Sequence, residues 1–311
     1  MNSYILIDTF QIIKNINKLN KKVMLVVKSD AYGMGLNNLI KYFKKSKVDF
    51  YCFNRYSEYL NTNDYLKDEK ILIFESPTCL YDKNIRYTIN NYKDALFVSG
   101  IKDEVYVHIQ IDTKMNRLGI KDIKEFNKVM NLLKQHSNII IEGIYTHLIS
   151  TDIDIIQCQI ERFKEFLIYP FEIIHVAATS NIDLDFGTHV RVGAYIYLNA
   201  VKVISHLENI IEIDKKESVG YNNNYIALNK ELIGVIPLGY YEGFNEEYIY
   251  ANGFKYQVIG DICMNHSFIK IDNKINKYTD LLIWSSCDKI GIEEIHQKLI
   301  GYRGLTKKYK E

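Results

Sequence analysis

Apolar and polar positions follow two textures along this chain. Up to about residue 200, short apolar runs read as strands over residues 4–7, 23–27, 50–53, 71–74, 96–98, 139–145, 173–176 and 192–198. Amphipathic stretches lie between them: a helix over 9–19, one from Leu36, a polar one over 56–60, one from Ile123 and one over 154–167. Leu36, Leu39, Ile40 and Phe43 share one helical face, as do Ile123, Phe126, Met130 and Leu133. Val105, Val107, Ile109 and Ile111 alternate with Tyr106, His108 and Gln110, the mark of a half-buried strand. Beyond residue 205 the helices nearly cease. Short strands over 210–213, 225–228, 232–237, 254–259 and 268–271 predict a mostly antiparallel β domain, closed by a helix over 292–299. Asn252-Gly253 marks a two-residue hairpin. The pattern predicts an N-terminal α/β domain over 1–205 and a β domain over 206–311, with a parallel sheet in the first. Periodicity leaves an eight-stranded barrel and a doubly wound sheet both open.

Composition narrows the function classes. At 311 residues, 47% hydrophobic and 25% charged, the chain is an ordinary soluble globular protein. A net charge of +1 gives no reason to expect nucleic acid or an acidic membrane as a partner. Five widely spaced cysteines without a Cys-x-x-Cys pair argue for a reducing compartment and against disulfides or a metal site. The N-terminal residues lack the basic flank and apolar core of a signal peptide, and no apolar run approaches membrane-spanning length. A cytoplasmic location is the expectation.

Lys28 carries the first chemistry. The apolar run at 23–27 delivers it to a strand end, and a glycine-bearing turn follows. An amine at the C-terminal end of a barrel or sheet strand sits where α/β folds react, and it can form a Schiff base with an aldehyde. Taken alone, Lys28 reads first as a solvated strand-end lysine. Its neighbours change that: Val26-Val27-Lys28-Ser29-Asp30-Ala31-Tyr32-Gly33-Met34-Gly35 resembles the pyridoxal phosphate (PLP) lysine motif of the alanine racemases, Lys-Ala-Asn-Ala-Tyr-Gly-His-Gly. The resemblance implies a TIM-like (β/α)8 barrel followed by a mostly antiparallel β domain, with the first strand packed against the latter. It makes Lys28 the Schiff-base lysine and Tyr32 a phosphate ligand.

Further motifs follow in the family's order. Ile111-Asp112-Thr113-Lys114-Met115-Asn116-Arg117-Leu118-Gly119 resembles Val-Asp-Thr-Gly-Met-x-Arg-Leu-Gly, which makes Arg117 the clamp on the substrate carboxylate. His147 is similar to the histidine that stacks on the cofactor ring. His175-Val176-Ala177-Ala178-Thr179-Ser180 resembles His-x-Ala-Asn-Ser, giving Thr179 or Ser180 to the phosphate. Val190-Arg191-Val192-Gly193-Ala194 resembles Val-Arg-x-Gly-Ile: Arg191 would face the pyridine nitrogen, and the Gly193 and Ala194 amides the phosphate. A guanidinium keeps its proton, so it would leave that nitrogen an acceptor and the electron sink a weak one. Without the resemblance Arg191 reads as a strand-edge surface residue.

In the second half, Gly220-Tyr221-Asn222 stands where the family has Ser-Tyr-Gly, keeping the tyrosine but not its flanks, and Gly239-Tyr240-Tyr241-Glu242-Gly243 resembles Gly-Tyr-Ala-Asp-Gly at the right interval. Tyr221 would be the second acid/base, reaching the partner subunit's site in a homodimer. Gly260-Asp261-Ile262-Cys263-Met264-Asn265 resembles Gly-Arg-x-Cys-Met-Asp, where the Met264 amide would touch substrate. Beside the order of residues around Tyr221, three positions depart from the pattern, and Asn265 is one, standing where the family has an aspartate. Gln110 stands where many members carry a carbamylated lysine that orients the clamp arginine, and Glu293 stands where they carry a pocket tyrosine. The remaining histidines, His108 and His296 among them, read as ordinary surface or core residues.

The implied activity is PLP-dependent interconversion of L- and D-alanine by Lys28 and Tyr221. Gln110 and Glu293 leave open serine or a broader substrate range, and with Asn265 they leave open a catalytically weak PLP-binding homologue. Arg191 counts against a decarboxylase on the same plan, and the β domain with its tyrosine counts against a single-domain PLP carrier.

Overall fold

A computed structural model describes residues 2–287 and 289–311. Eight parallel strands close into a barrel in chain order: β2 (Lys22–Val26), β3 (Val48–Phe53), β4 (Lys70–Ile73), β5 (Ile85–Ile89), β6 (Val105–Ile111), β7 (Ile139–Thr146), β8 (Ile173–Ala178) and β9 (His189–Val192). Helices Leu36–Phe43, Tyr92–Ser99, Ile123–Lys134 and Ile153–Lys164 lie between them. Their starts are written in side chains: Asn91, Asp122 and Asp152 each accept a first-turn amide, filling donors that a helix leaves unpaired. The β6–β7 helix then turns Phe126, Val129, Met130 and Leu133 into the core.

The other unit is one nine-stranded sheet, built from β1 (Tyr4–Asp8), β10 (Val201–Ser205), β11 (Asn209–Ile213), β12 (Glu231–Ile236), β13 (Tyr248–Ala251), β14 (Phe254–Ile259), β15 (Ser267–Ile271), β16 (Leu281–Ser285) and β17 (Thr306–Lys310). Its order is β11-β12-β15-β14-β13-β16-β10-β1-β17. All its pairs are antiparallel except β1 with β17. Asn252 and Gly253, with φ of 50° and 81°, turn β13 into β14 as a two-residue hairpin requires.

Packing assigns the N-terminal residues through Asn15, Tyr32–Met34 and Ile196–Glu311 to the sheet unit, and Ile16–Ala31 with Gly35–Tyr195 to the barrel unit. The sequence pattern set the division at 205/206; β10 lies on the sheet side because its hydrogen bonds go to β1 and β16. Among the described residues no helix is long and apolar enough to cross a membrane.

Several local expectations change. Residues 96–98 belong to helix Tyr92–Ser99, capped by Asn91, and are not a strand. Strand β9 ends at Val192, where Gly193 leads into the short 3-10 turn Ala194–Tyr197. Residues 225–228 contribute only an isolated bridge, Ser218 to Ile226. Strand β6 is not half-buried: its Val105, Val107, Ile109 and Ile111 face helices while His108 and Gln110 are buried as well, because a closed barrel leaves no wet face.

Candidate active site

Lys28 follows directly on β2, half-buried, at the C-terminal rim where barrel enzymes carry their chemistry. The backbone beyond it is unusual. Ser29, Asp30, Ala31 and Tyr32 hold φ of 54°, 56°, 52° and 63°, and Gly33 continues at 78°. This is a left-handed helical turn, a conformation that costs about 1–2 kcal/mol for each residue with a Cβ. Hydrogen bonds hold it: Ala31 N–H donates to the Val27 carbonyl (3.0 Å), Leu36 N–H to Asp30 Oδ1 (2.7 Å) and Ser29 N–H to Glu58 Oε1 (3.0 Å). Backbone strain of this kind persists only where the surroundings over-determine it. Tyr32 counts with the sheet unit, where its ring lies edge-on to Tyr197 and His296.

The other barrel-unit candidates gather at neighbouring strand ends. His147 stands immediately after β7, and burial, then the charges of Arg191, Arg117 and Lys28, push its pKa down to about 3. Three cations thus act on one neutral imidazole. Arg117 is exposed in the loop after β6, where Lys114 and Asn116 adopt positive φ and Ile120 returns to pair with the strand. Arg191 is 4% exposed, inside the barrel wall, correcting its reading as a surface residue. It donates from Nη1 to His175 Nδ1 (2.8 Å) and to the His175 carbonyl, and from Nη2 to the carbonyls of Thr146 (2.6 Å) and Val176 (3.3 Å). Burial draws its pKa down to about 10, still far above neutrality. Thr179 and Ser180 form a 3-10 turn after β8, and Thr179 Oγ1 accepts from the Gly193 amide (3.2 Å). Asn181 Nδ2 is a buried donor without a protein partner at this same strand end.

Tyr221 and Met264 belong to the sheet unit, 66% and 55% exposed. Their motifs interlock. Asn222 and Asn224 donate to the two oxygens of Asp261 (2.9 and 2.7 Å), tying the Tyr221 loop to the Met264 segment. Asn265 Nδ2 donates to Glu242, whose other oxygen accepts from Gly239 N–H. Gly239 is obligatory, since a Cβ there would stand 2.2 Å from the Cys263 carbonyl oxygen.

Residues 6–200 match the family described as Alanine racemase, N-terminal domain, and residues 200–307 match Alanine racemase, C-terminal domain. The chain belongs to the alanine racemase family. Among curated relatives, the alanine racemase of Staphylococcus saprophyticus is 29% identical, over 87% of this chain and 80% of its own length. That of Borreliella burgdorferi is 26% identical, over 90% and 86%. Among solved structures, alanine racemase from Bartonella henselae with covalently bound pyridoxal phosphate superposes with a TM-score of 0.88 at 20% identity, covering all of both chains. A histidine racemase from Leuconostoc mesenteroides superposes at 0.82 with 16% identity, over 100% of this chain and 98% of its own. These likenesses make the barrel plus β domain the alanine racemase fold.

The departures at Gln110 and Glu293 from the alanine racemase pattern have structural outcomes. Gln110 is buried; its Oε1 accepts from Tyr145 Oη (2.7 Å) and its Nε2 donates to the Leu118 carbonyl (3.1 Å). It therefore grips the backbone next to Arg117. Gln110→Leu removes both bonds, and loss of about one or two buried hydrogen bonds predicts an alanine KM raised about tenfold with kcat changed less. Steady-state kinetics on both enantiomers check this; an unchanged KM would detach Gln110 from the clamp. Glu293 is exposed in the first turn of helix Ile292–Gly301, a favourable place for a carboxylate, and the residue of that helix touching Tyr32 is His296. Sequence spacing passed over His296, and also His108, which is fully buried and hydrogen-bonded to His175. A polar residue at an inward strand position was the available signal.

Proposed function

We infer that this protein is a PLP-dependent racemase that interconverts L- and D-alanine. The observation carrying this is the grouping of Lys28, Arg117 and Arg191 around neutral His147 at the barrel's C-terminal rim, in a chain matching both alanine racemase domains. Such a cluster of cations suits an anionic cofactor and an amino-acid carboxylate. The unpartnered Asn181 donor beside Thr179 and the Gly193 amide also fits a phosphate end.

When bound, PLP supplies the electron sink that lets the substrate Cα–H bond break. The residues that would hold it are Lys28 at the aldehyde, Arg191 at the ring nitrogen, His147 against the ring, and Tyr32, Thr179, Ser180, Gly193 and Ala194 at the phosphate. Arg191 keeps its protons at neutral pH and would donate to that nitrogen without protonating it. The Lys28 amine would take or return the α-proton on one face, and the Tyr221 phenol on the other. Arg117 would hold the carboxylate by its fork, helped by the Met264 amide. The exposure of Tyr221 and Met264 supports their donation to a second copy, hence a homodimer with shared sites. A cytoplasmic location accords with the reducing environment that the unpaired cysteines suit.

Specificity is the second question, because Gln110 and Glu293 depart from the family pattern and the histidine racemase shows that this fold takes other side chains. Racemisation of L-alanine, L-serine, L-lysine and L-histidine with added PLP tests the reading. Alanine is expected to have the highest kcat/KM, with serine next. A basic amino acid or histidine winning clearly would overturn it, and carbon dioxide release would revive the decarboxylase.

A further inference from the structure

The hydrogen bonds of Arg191 do not stop at His175. His175 Nε2 faces His108 Nδ1 at 2.9 Å, and His108 Nε2 faces Glu142 Oε2 at 3.0 Å. Glu142 receives a two-point fork from Arg86, Nε to Oε2 at 2.9 Å and Nη2 to Oε1 at 3.2 Å. Arg86 Nη1 donates to the Asn84 carbonyl. Five side chains from β5, β6, β7, β8 and β9 thus form one line through the barrel interior, each buried.

The line has only one possible direction. A guanidinium has no lone pair, so His175 Nδ1 must accept from Arg191, and a neutral His175 then carries its proton on Nε2. That proton points at His108 Nδ1, which must accept in turn, leaving the His108 proton on Nε2 for Glu142. A carboxylate has no proton to send back. Arg86 keeps it ionised: burial would raise the Glu142 pKa, but hydrogen bonds from His108 and Arg86 bring it down to about 2. Burial also lowers the pKa of both His108 and His175, in keeping with neutral rings.

The backbone is shaped for this line. Val107 pairs with Ile141 but His108 with Gly143, so Glu142 is the extra residue of a β-bulge, the device by which a strand re-aims one side chain. Gly143 leaves room for the imidazole; a Cβ there would stand 2.7 Å from His108 Nδ1.

We propose that Arg86 and Glu142 are remote positioning residues: through His108 they fix the His175 tautomer that gives Arg191 its acceptor, and so fix the orientation of the guanidinium. Its catalytic consequence rests on the reading of Arg191 as the ring-nitrogen partner; the tautomers do not.

Nitrogen-15 NMR of histidine-labelled full-length protein tests it, because ring-nitrogen shifts report which nitrogen bears the proton. In the unmodified chain, His108 and His175, assigned by His108→Gln and His175→Asn, are expected as single Nε2–H tautomers. Either ring protonated on Nδ1 would overturn the proposal without any variant. Removing one ion alone would strand the other in the barrel, so the test is the pair Arg86→Met with Glu142→Met. There His108 loses its acceptor and, as the Arg191 bond to His175 Nδ1 opens, both rings are expected to populate mixed tautomers, and kcat for alanine to fall about tenfold with KM within about twofold. Arg86→Met with Glu142→Gln keeps an acceptor oxygen without stranding an ion and is expected to restore the tautomers and most of kcat. Unchanged tautomers in the paired methionine variant, or a loss with Glu142→Gln in the Arg86→Met background as large as that of the methionine pair, would overturn it. Arg191→Lys separates the two readings: an unshifted absorbance of bound PLP there would withdraw Arg191 from the ring nitrogen, whatever the histidine tautomers do.

Discussion

Replacement of Lys28 by alanine is expected to lower alanine racemisation by about four orders of magnitude or more, the combined loss of a covalent tether and a general base. The folded chain has little reason to resist the change. Lys28 is half-buried and lies outside the run of positive φ, and the strand end before it is pinned by Val27 N–H donating to the Cys52 carbonyl (2.9 Å). The hydrogen bonds of Arg191 to His175 and of Gly193 to Thr179 do not involve it, so PLP should still bind, weakly and without a covalent link. Borohydride reduction followed by peptide mapping is the direct measurement. The unmodified protein should carry the reduced cofactor on the peptide holding Lys28 and the variant should carry none; a tag on another lysine would remove the whole assignment.

A second large effect is expected from Tyr221→Phe. Losing one acid/base group should cost about 10²–10⁴-fold in racemisation, while the absorbance of bound PLP stays. Because Tyr221 is 66% exposed, deleting its hydroxyl should leave stability nearly untouched. Mixing decides where the phenol acts. In a two-fold dimer with shared sites, a Lys28→Ala chain paired with a Tyr221→Phe chain contains one fully damaged site and one intact site. Refolding the two inactive variants together should therefore restore activity to about one quarter of the unmodified level, since about half the dimers are mixed. If both residues served a site within a single chain, no mixture would recover anything.

The alternation of strands and helices was legible because most barrel strands are dominated by apolar residues. The exceptions are β5, Ile85–Ile89, where Arg86 and Thr88 interrupt the run, and β9, where His189 and Arg191 do, although all four are buried. Periodicity treats a polar residue as facing solvent, and inside a closed barrel that inference fails. The same failure concealed His108 and Gln110 in β6 and made Arg191 look like a surface residue. Residues 96–98 show the opposite error: three apolar neighbours suggested a strand, but the Asn91 cap upstream commits them to a helix. Lys28, Arg117, His147 and Arg191 were singled out through their surrounding motifs, since no single position announces a cofactor. The left-handed turn after Lys28 was invisible, because Ser29, Asp30, Ala31 and Tyr32 are not residues that favour positive φ together. Local hydrogen bonds hold it together with one from the distant Glu58, which no local pattern announces.

The first strand has a bearing on how the molecule is made. β1 lies between β10 and β17, so its two neighbours are about 200 and 300 residues downstream. β1 is made before either neighbour: one edge can pair once β10 is out, but the other stays open until β17 has emerged. The barrel segments, by contrast, are complete once Tyr195 is out and pair in the order in which they appear. Assembly should thus run barrel first, with β1 fully seated only at the end, a long-range closure of the kind that folds slowly. A nascent chain stalled short of Thr306 would keep an open strand edge in the crowded cell.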